Sequence, residues 1–472
     1  MTAESAESFA VRSRHALGDA ALRQALENIQ THLVEGRRNA VARVPEFDHL
    51  RDTAASIKDH VLANLDVYLE LFAARVEAVG GTVHWARDAA EANRIIESVC
   101  RAARAKLVVK GKSMISEEIE LNAHLQSAGM RVVESDLGEY IIQLRGERPS
   151  HIVAPAVHLK REHYANAFRK AHAGLDVGRD LAEPTALLAE ARTVLREEFA
   201  HADVGITGAN FLVADTGTAV LVTNEGNADL SMTLPRVHVV LASVEKIVPT
   251  LPDALALVRV LARSATGQDC TAYTTFVTGA ARAGDADGPK EFHVVLLDNG
   301  RSALLHGPQR EMLKCIRCGA CMNHCPVYGA IGGHAYGWVY PGPMGAVLSP
   351  TLNGIDKHRH LPNASTFCGR CDSVCPVKIP LTVLMRGLRE EQVSRRLVPR
   401  LPAVLLRAWG FVALRPVLYR FCARVVRFAL RRLSRQGRIT SVPFASGWTQ
   451  HRDLAVPGRQ TFVEQWLASR SQ

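Results

Sequence analysis

Long apolar runs are missing from this 472-residue chain, and none approaches the ~18 residues that a membrane-spanning helix requires. The opening stretch, Met1 to Ser8, has neither a basic segment nor an apolar one, so no secretion signal is read and a cytoplasmic location is expected. Acidic residues are nearly absent from one region. From Pro376 to Gln472 there are 4 Asp and Glu against 18 Lys and Arg, so the formal charge of +10 belongs to the tail and the rest of the chain sums to −4. The basic excess therefore speaks of what the tail meets: its own domain, with a solvated arginine face, a companion protein, or an anionic membrane surface. No helix-turn-helix or other groove-reading element accompanies it, which argues against a nucleic-acid partner and against a redox-sensing regulator. Lys110-Gly111-Lys112-Ser113 ends like a phosphate-binding loop, but Lys106 stands where the first glycine belongs, so nucleotide binding by that route is set aside. The histidines at 151, 158, 163, 172, 201 and 238 lack metal-ligand spacing and read as structural.

What the chain does have is cysteine in one place. Seven of its ten cysteines fall between Cys315 and Cys375. Cys315-Ile-Arg-Cys318-Gly-Ala-Cys321-Met-Asn-His-Cys325-Pro326 is the C-x2-C-x2-C-x3-C-P spacing of two-cluster ferredoxins. Three thiolates two residues apart converge on one cluster, while the fourth, before a proline, points toward a second. Ser365-Thr-Phe-Cys368-Gly-Arg-Cys371-Asp-Ser-Val-Cys375-Pro376 repeats the pattern with serine in the first place. Crossed ligation assigns Cys315, Cys318, Cys321 and Cys375 to cluster one, and Cys325, Cys368 and Cys371 to cluster two. Zinc sites use two separated pairs, and a disulfide framework suits a secreted chain, so neither explains this run. Cys100, Cys270 and Cys422 stand alone and are expected to be buried apolar thiols.

Hydrophobic content of 47% and charged content of 22% are those of a globular protein, with room for about three domains. Residues 1–80 form a helical N-terminal arm, with helices over Ala21–Val34 and Ile57–Val79 ended by Gly80-Gly81. Residues 81–300 alternate apolar strands with helices, which predicts a largely parallel sheet covered on both faces. Its strands include Thr82–Trp85, Lys106–Val109, Met130–Val133, His151–Ala154, His238–Leu241 and Phe292–Leu297, with a hairpin at Phe211–Ala214 and Ala219–Thr223. Glu117–Ala128 reads as one helix. Polar clusters at the strand ends, with Lys110, Lys112, Asn210 and Asn224, mark an anion or cofactor pocket. Residues 301–385 are the two-cluster domain, and Tyr328 to Ala364 within it is too rich in glycine and proline for regular structure. Residues 386–472 form a basic helical region in which Arg420, Arg424, Arg427, Arg431 and Arg435 share a face.

These segments, in this order, resemble the B-type iron–sulfur subunit of bacterial L-lactate utilization systems. The likeness is carried by Lys110-Gly-Lys-Ser-Met114 with Glu117-Glu118, Asp136–Ile142, Pro149–Ile152, Gly205–Asn210, Thr223–Asn227, Glu245–Pro249, Ile331–Pro343 and both cysteine motifs. It implies an α/β domain of the NagB/CoA-transferase-like kind joined to a helical ferredoxin-like domain with two iron–sulfur clusters. The clusters would be 4Fe-4S in type, the second 3Fe-4S or held by a non-cysteine ligand. It also implies that the subunit carries electrons while companion lactate-utilization subunits share in oxidising L-lactate to pyruvate; the electron acceptor stays open. The rival reading is a self-sufficient oxidoreductase, or a carboxylate- or acyl-binding enzyme, that uses Lys110 and Lys112 and keeps the clusters as an internal relay.

Overall fold

The computed structural model describes residues 8–176, 178–442, 449 and 452–470. The reading of the N-terminal stretch as free of a targeting signal therefore falls, for Met1 to Glu7, outside the described residues. The chain divides into two compact units, Met1–Glu390 and Glu391–Gln472.

The first unit is built on a six-stranded sheet in the order β1 (Thr82–Ala86), β10 (Glu291–Leu297), β7 (Val237–Ser243), β4 (Val204–Thr207), β2 (Leu107–Lys110), β3 (Arg131–Glu134). Every pairing in it is parallel. Strands buried on both faces need apolar residues on both, and alternation sends them to different cores. On β10, Phe292, Val294 and Leu296 face one cluster, and Val295 and Leu297 another. On β2, Val108 and Val109 part in the same way.

A second sheet lies beside the first. The predicted hairpin forms from β5 (Phe211–Val213) and β6 (Thr218–Thr223), but in this four-stranded sheet with β8 (Ile247–Val248) and β9 (Tyr273–Val277). His151–Ala154 is a bend, not a strand. The reason is His151 itself: its Nδ1 accepts the Val153 and Ala154 N–H groups, closing a local turn that competes with extended backbone.

The N-terminal segment is more than an arm. Its helices Phe47–Ala63 and Leu65–Ala78 place Val61, Leu65, Leu69, Phe72 and Val76 in one core with Val240, Phe292 and Val294 of the main sheet. The single helix predicted from Ile57 is broken at Asn64, whose Nδ2 donates to the His60 carbonyl. The helix predicted from Glu117 is likewise two, Met114–Glu118 and Leu121–Ser127, parted by Glu120 in the left-handed region at φ 55°. Between the cysteine motifs the structure is more regular than its composition suggests, with helices Pro326–Ile331 and Gly342–Asn353. Gly333 in this stretch touches another matched motif: a Cβ there would stand 1.8 Å from the Ser150 carbonyl oxygen, so only glycine allows the approach.

In the second unit, Arg400–Ala413 and Pro416–Arg432 are amphipathic helices bent by 114° at their junction. Among the described residues no single helix is long and apolar enough to cross a membrane. Leu405, Trp409, Phe421 and Phe428 are each more than half exposed. Arg424 and Arg427 both bind Glu464, so part of the basic face is neutralised within the unit. Cys422 is half-buried and Cys270 exposed; of the three solitary thiols only Cys100 is buried as expected.

Candidate functional site

The two cysteine motifs fold alike. Arg317 and Phe367, each just before a cysteine, are left-handed at φ 60° and 54°, and Gly319 and Gly369, just after it, share φ 76°. These left-handed residues on either side of Cys318 and Cys368 bend each loop tightly around its sulfurs, and glycine takes that conformation without strain. Short helices, Ala320–Asn323 and Arg370–Val374, then carry each chain to Cys325 and Cys375.

Cys315, Cys318, Cys321 and Cys375 line one small cavity whose other walls include Ile152, Met312, Met344 and Leu381. Burial pushes the Cys318 and Cys321 thiols up, and pushes Cys375 up to about 11. Cys325 sits within electrostatic reach of Cys368 and Cys371. This second group is open at one corner: Cys325 and Cys371 are buried but Cys368 is exposed, and the Arg370 N–H holds its thiol below the usual range. Backbone N–H groups donate to sulfur in both groups, from Ile379 to Cys375 at 3.3 Å and from Tyr328 to Cys325 at 3.5 Å. All ten cysteines are free of disulfides. Unpaired thiols that converge, with apolar walls and N–H donors on sulfur, fit iron–sulfur clusters. Ser365 Oγ accepts the Phe367 N–H at 3.1 Å. Tyr336 and Tyr340 are fully buried, and Tyr336 lies near both Cys321 and Cys325.

The four residues predicted to form an anion pocket do not stay together. Lys112, Asn210 and Asn224 line a cavity of about 320 Å³ outside the carboxyl ends of β2 and β4, where open parallel sheets place ligand sites. Lys110 does not line it. Its ammonium is buried at 2.7 Å from Glu134, 3.1 Å from Glu117 and 2.8 Å from Ser116 Oγ, a neutralised structural ion pair. The last residue of an all-buried strand has no solvent to reach, so its charge needs partners inside. Glu139, packed beside them, is held well above the ordinary carboxylate range by burial and by Glu134.

The same cavity extends to Arg317 and Cys318 of the first motif, and Lys246 also lines it. Sequence reasoning missed this convergence. Glu245 accepts from Arg317 at 3.2 Å and lies 3.0 Å from Arg301 Nε, out of line for a hydrogen bond there. Arg301, 1% exposed, forks onto Glu118 at 2.9 and 2.7 Å, and Tyr340 donates to the same carboxylate at 2.6 Å. The Arg317 guanidinium lies 4.6 Å over the Tyr340 ring. Lys58 donates to the Glu245 carbonyl, and burial, partly offset by Glu245, pulls it down to about 8. Thus Glu118, Glu245 and Tyr340, from three separate motifs, meet in one buried network beside Cys315–Cys318. Singly they read as helix, turn and loop polar residues, and nothing in the sequence alone signalled that they share a site.

Residues 69–297 match the LUD domain family, and residues 311–379 match the 4Fe-4S dicluster domain. The cysteine groups therefore hold iron–sulfur clusters of 4Fe-4S type, and the molecule joins a LUD domain of parallel α/β architecture to a two-cluster ferredoxin-like domain. The chain is 43% identical to lactate utilization protein B of Shouchella clausii, over 98% of this chain and 97% of that one. It is 42% identical to lactate utilization protein B of Bacillus licheniformis, over 98% and 97%. It is 41% identical to Escherichia coli YkgF, named as an uncharacterized electron transport protein, over 96% and 95%. The chain belongs to the lactate utilization protein B family.

Proposed function

We propose that this protein is the electron-transfer subunit of a system that oxidises L-lactate to pyruvate, working beside companion subunits. Its place as an iron–sulfur component of lactate utilization follows from the relatives' names and the dicluster match. Cys315, Cys318, Cys321 and Cys375 would hold cluster one, and Cys325, Cys368 and Cys371 cluster two. When bound, such clusters supply one-electron carriers. The rest is the protein's own work. Tyr336, buried near Cys321 and Cys325, keeps water from the sulfurs, and backbone N–H groups hold Cys325 and Cys375 in place.

The observation that carries this reading is the exposure of a single cluster cysteine. Cys318, Cys325, Cys371 and Cys375 are buried, while Cys368 of the second group is exposed. A relay needs a protected end and an end that meets its partner, and this arrangement supplies both. The exposed apolar arc of Arg400–Ala413 suits docking to a companion subunit. A cytoplasmic, reducing setting agrees with ten unpaired cysteines. For the α/β half, a NagB/CoA-transferase-like fold is proposed on the parallel sheet with its attached smaller sheet. Two measurements test the function: iron and sulfide content with EPR of anaerobically purified protein, and L-lactate oxidation by the companion subunits with and without this chain. Turnover unchanged by its omission defeats the proposal.

A further inference from the structure

Lys246 is 6% exposed, and its ammonium has neither a hydrogen bond nor a close ion pair among the described residues, with Glu245 and Cys315 only within electrostatic reach. A buried lysine without a partner is costly, by several kcal/mol in order of magnitude, unless something anionic meets it. Its side chain lines the cavity of about 320 Å³ that also reaches Lys112, Arg317 and Cys318. Glu245, its chain neighbour, is already engaged by Arg301 and Arg317. Of the other polar groups on the cavity wall, several have something left to give. Asn210 accepts the Val222 N–H through Oδ1, leaving its amide NH2 without a protein partner among the described residues. Lys112 donates to the Val153 carbonyl and keeps further N–H groups. Two acidic residues also lie on the wall, and neither is paired with Lys246: Asp136 caps the helix Leu137–Arg145 through the Gly138 and Glu139 N–H groups, and Glu225 is exposed and within electrostatic reach of Lys112.

Lys246, Lys112 and Asn210 thus keep free donors, which calls for a ligand that accepts. The wall also carries hydrocarbon, with Ile115, Ile152, Leu221, Leu241 and Leu261, beside hydroxyls such as those of Ser113 and Thr207. That favours an anion with a hydrocarbon part over a bare inorganic one. The volume lies at the small end of ligand cavities, which run from roughly 300 to 1,000 Å³.

We propose that this cavity binds a small organic carboxylate, its carboxylate held by Lys246 and Asn210 on the side of the cavity that Cys318 lines. The LUD domain thereby holds a small acid against the protein's first cysteine group, so that occupancy of the cavity is felt at the iron. Binding itself does not depend on the electron-transfer reading; only the spectroscopic arm below rests on Cys318 being a ligand of cluster one.

The test uses full-length protein purified without oxygen, with iron content and circular dichroism checked first. Isothermal titration with 2-oxohexanoate, pyruvate and inorganic phosphate compares the wild type with Lys246→Met and Asn210→Ala. The organic acids should bind the wild type more tightly than phosphate does. Lys246→Met should bind them at least about tenfold more weakly, the scale of one lost charge-assisted contact. If Lys246→Met fails to load iron, Lys246→Gln is held to the same criterion. In the reduced wild type, the bound acid should shift the EPR spectrum of one cluster, and Lys246→Met should lose the shift. Absence of carboxylate binding to iron-loaded wild type, equal binding by the Lys246 and Asn210 variants, or tighter binding of phosphate would overturn the proposal. Binding without any EPR change overturns its placement beside Cys318. A protein that carries no clusters but still binds the acid through Lys246 defeats the electron-transfer reading and leaves this one standing.

Discussion

Replacing Glu245 by glutamine removes one negative charge from the centre of the buried network. Arg301, Arg317, Lys246 and Lys58 all lie close enough to feel it. Burial alone would raise this carboxyl, but Arg301, Arg317 and Lys246 outweigh burial and pull it down to about 2 from an ordinary 4.5. At 1.36 kcal/mol per pKa unit, that depression corresponds to roughly 3 kcal/mol of stability at neutral pH. The group's folded pKa is depressed, so its contribution is full above the unfolded value and lost as pH falls toward about 2. Breaking a buried ion pair from one side costs about 3–5 kcal/mol in general, in agreement. Glu245→Gln should therefore lower the urea midpoint at neutral pH by about 1 M, taking a slope near 3 kcal/mol per molar. Unfolding would be followed both by circular dichroism and by cluster absorbance, because a chain of two units need not unfold in one step. The cycle closes with Arg301→Met and the double variant, which should be coupled by at least about 1 kcal/mol. A midpoint within experimental error of wild type, or additive single effects, would refute the view that these charges hold one another in place.

Four further outcomes are expected. Ser365→Cys should supply cluster two with a fourth thiolate, so the 3Fe-4S-type EPR signal expected of wild type on mild oxidation should fall sharply; a wild type that gives no such signal already has a firm fourth ligand. Lys58 is 2% exposed and within electrostatic reach of Cys315, so Lys58→Met should lower one cluster's reduction potential by on the order of 50 mV, read by EPR redox titration; an unmoved potential would place the lysine outside the cluster's field. Glu139 is held protonated by burial, a raised folded pKa whose stabilisation is lost as pH rises, so Glu139→Gln should unfold later than wild type at mildly alkaline pH, and equal midpoints would count against it. In the second unit, Leu405→Ser with Trp409→Ser should weaken co-purification with a companion subunit or binding to anionic vesicles with little dependence on salt; if neither changes, that arc has no partner.

The cluster cysteines were legible because their chemistry is local: C-x2-C-x2-C fixes where three sulfurs go within a single loop, whatever surrounds it. The parallel α/β architecture was legible for a similar reason, since strands buried on both faces must be continuously apolar, as in Val237–Ser243. So was the tail's excess charge. The sequence could not tell Lys110 from Lys112, two residues apart in one motif. The strand ends at Lys110, whose ammonium is buried against Glu134, while Lys112, in the loop just past it, lines a cavity. Nor could it place Glu118, Glu245, Arg301, Arg317 and Tyr340 together, because a buried charge looks like a surface charge until its partner, often more than a hundred residues away, is brought beside it. The unpartnered Lys246 is a fact of the same kind. Composition supplies the ammonium, and only tertiary packing decides that it is buried on the wall of a cavity that Cys318 also lines, without a hydrogen bond among the described residues.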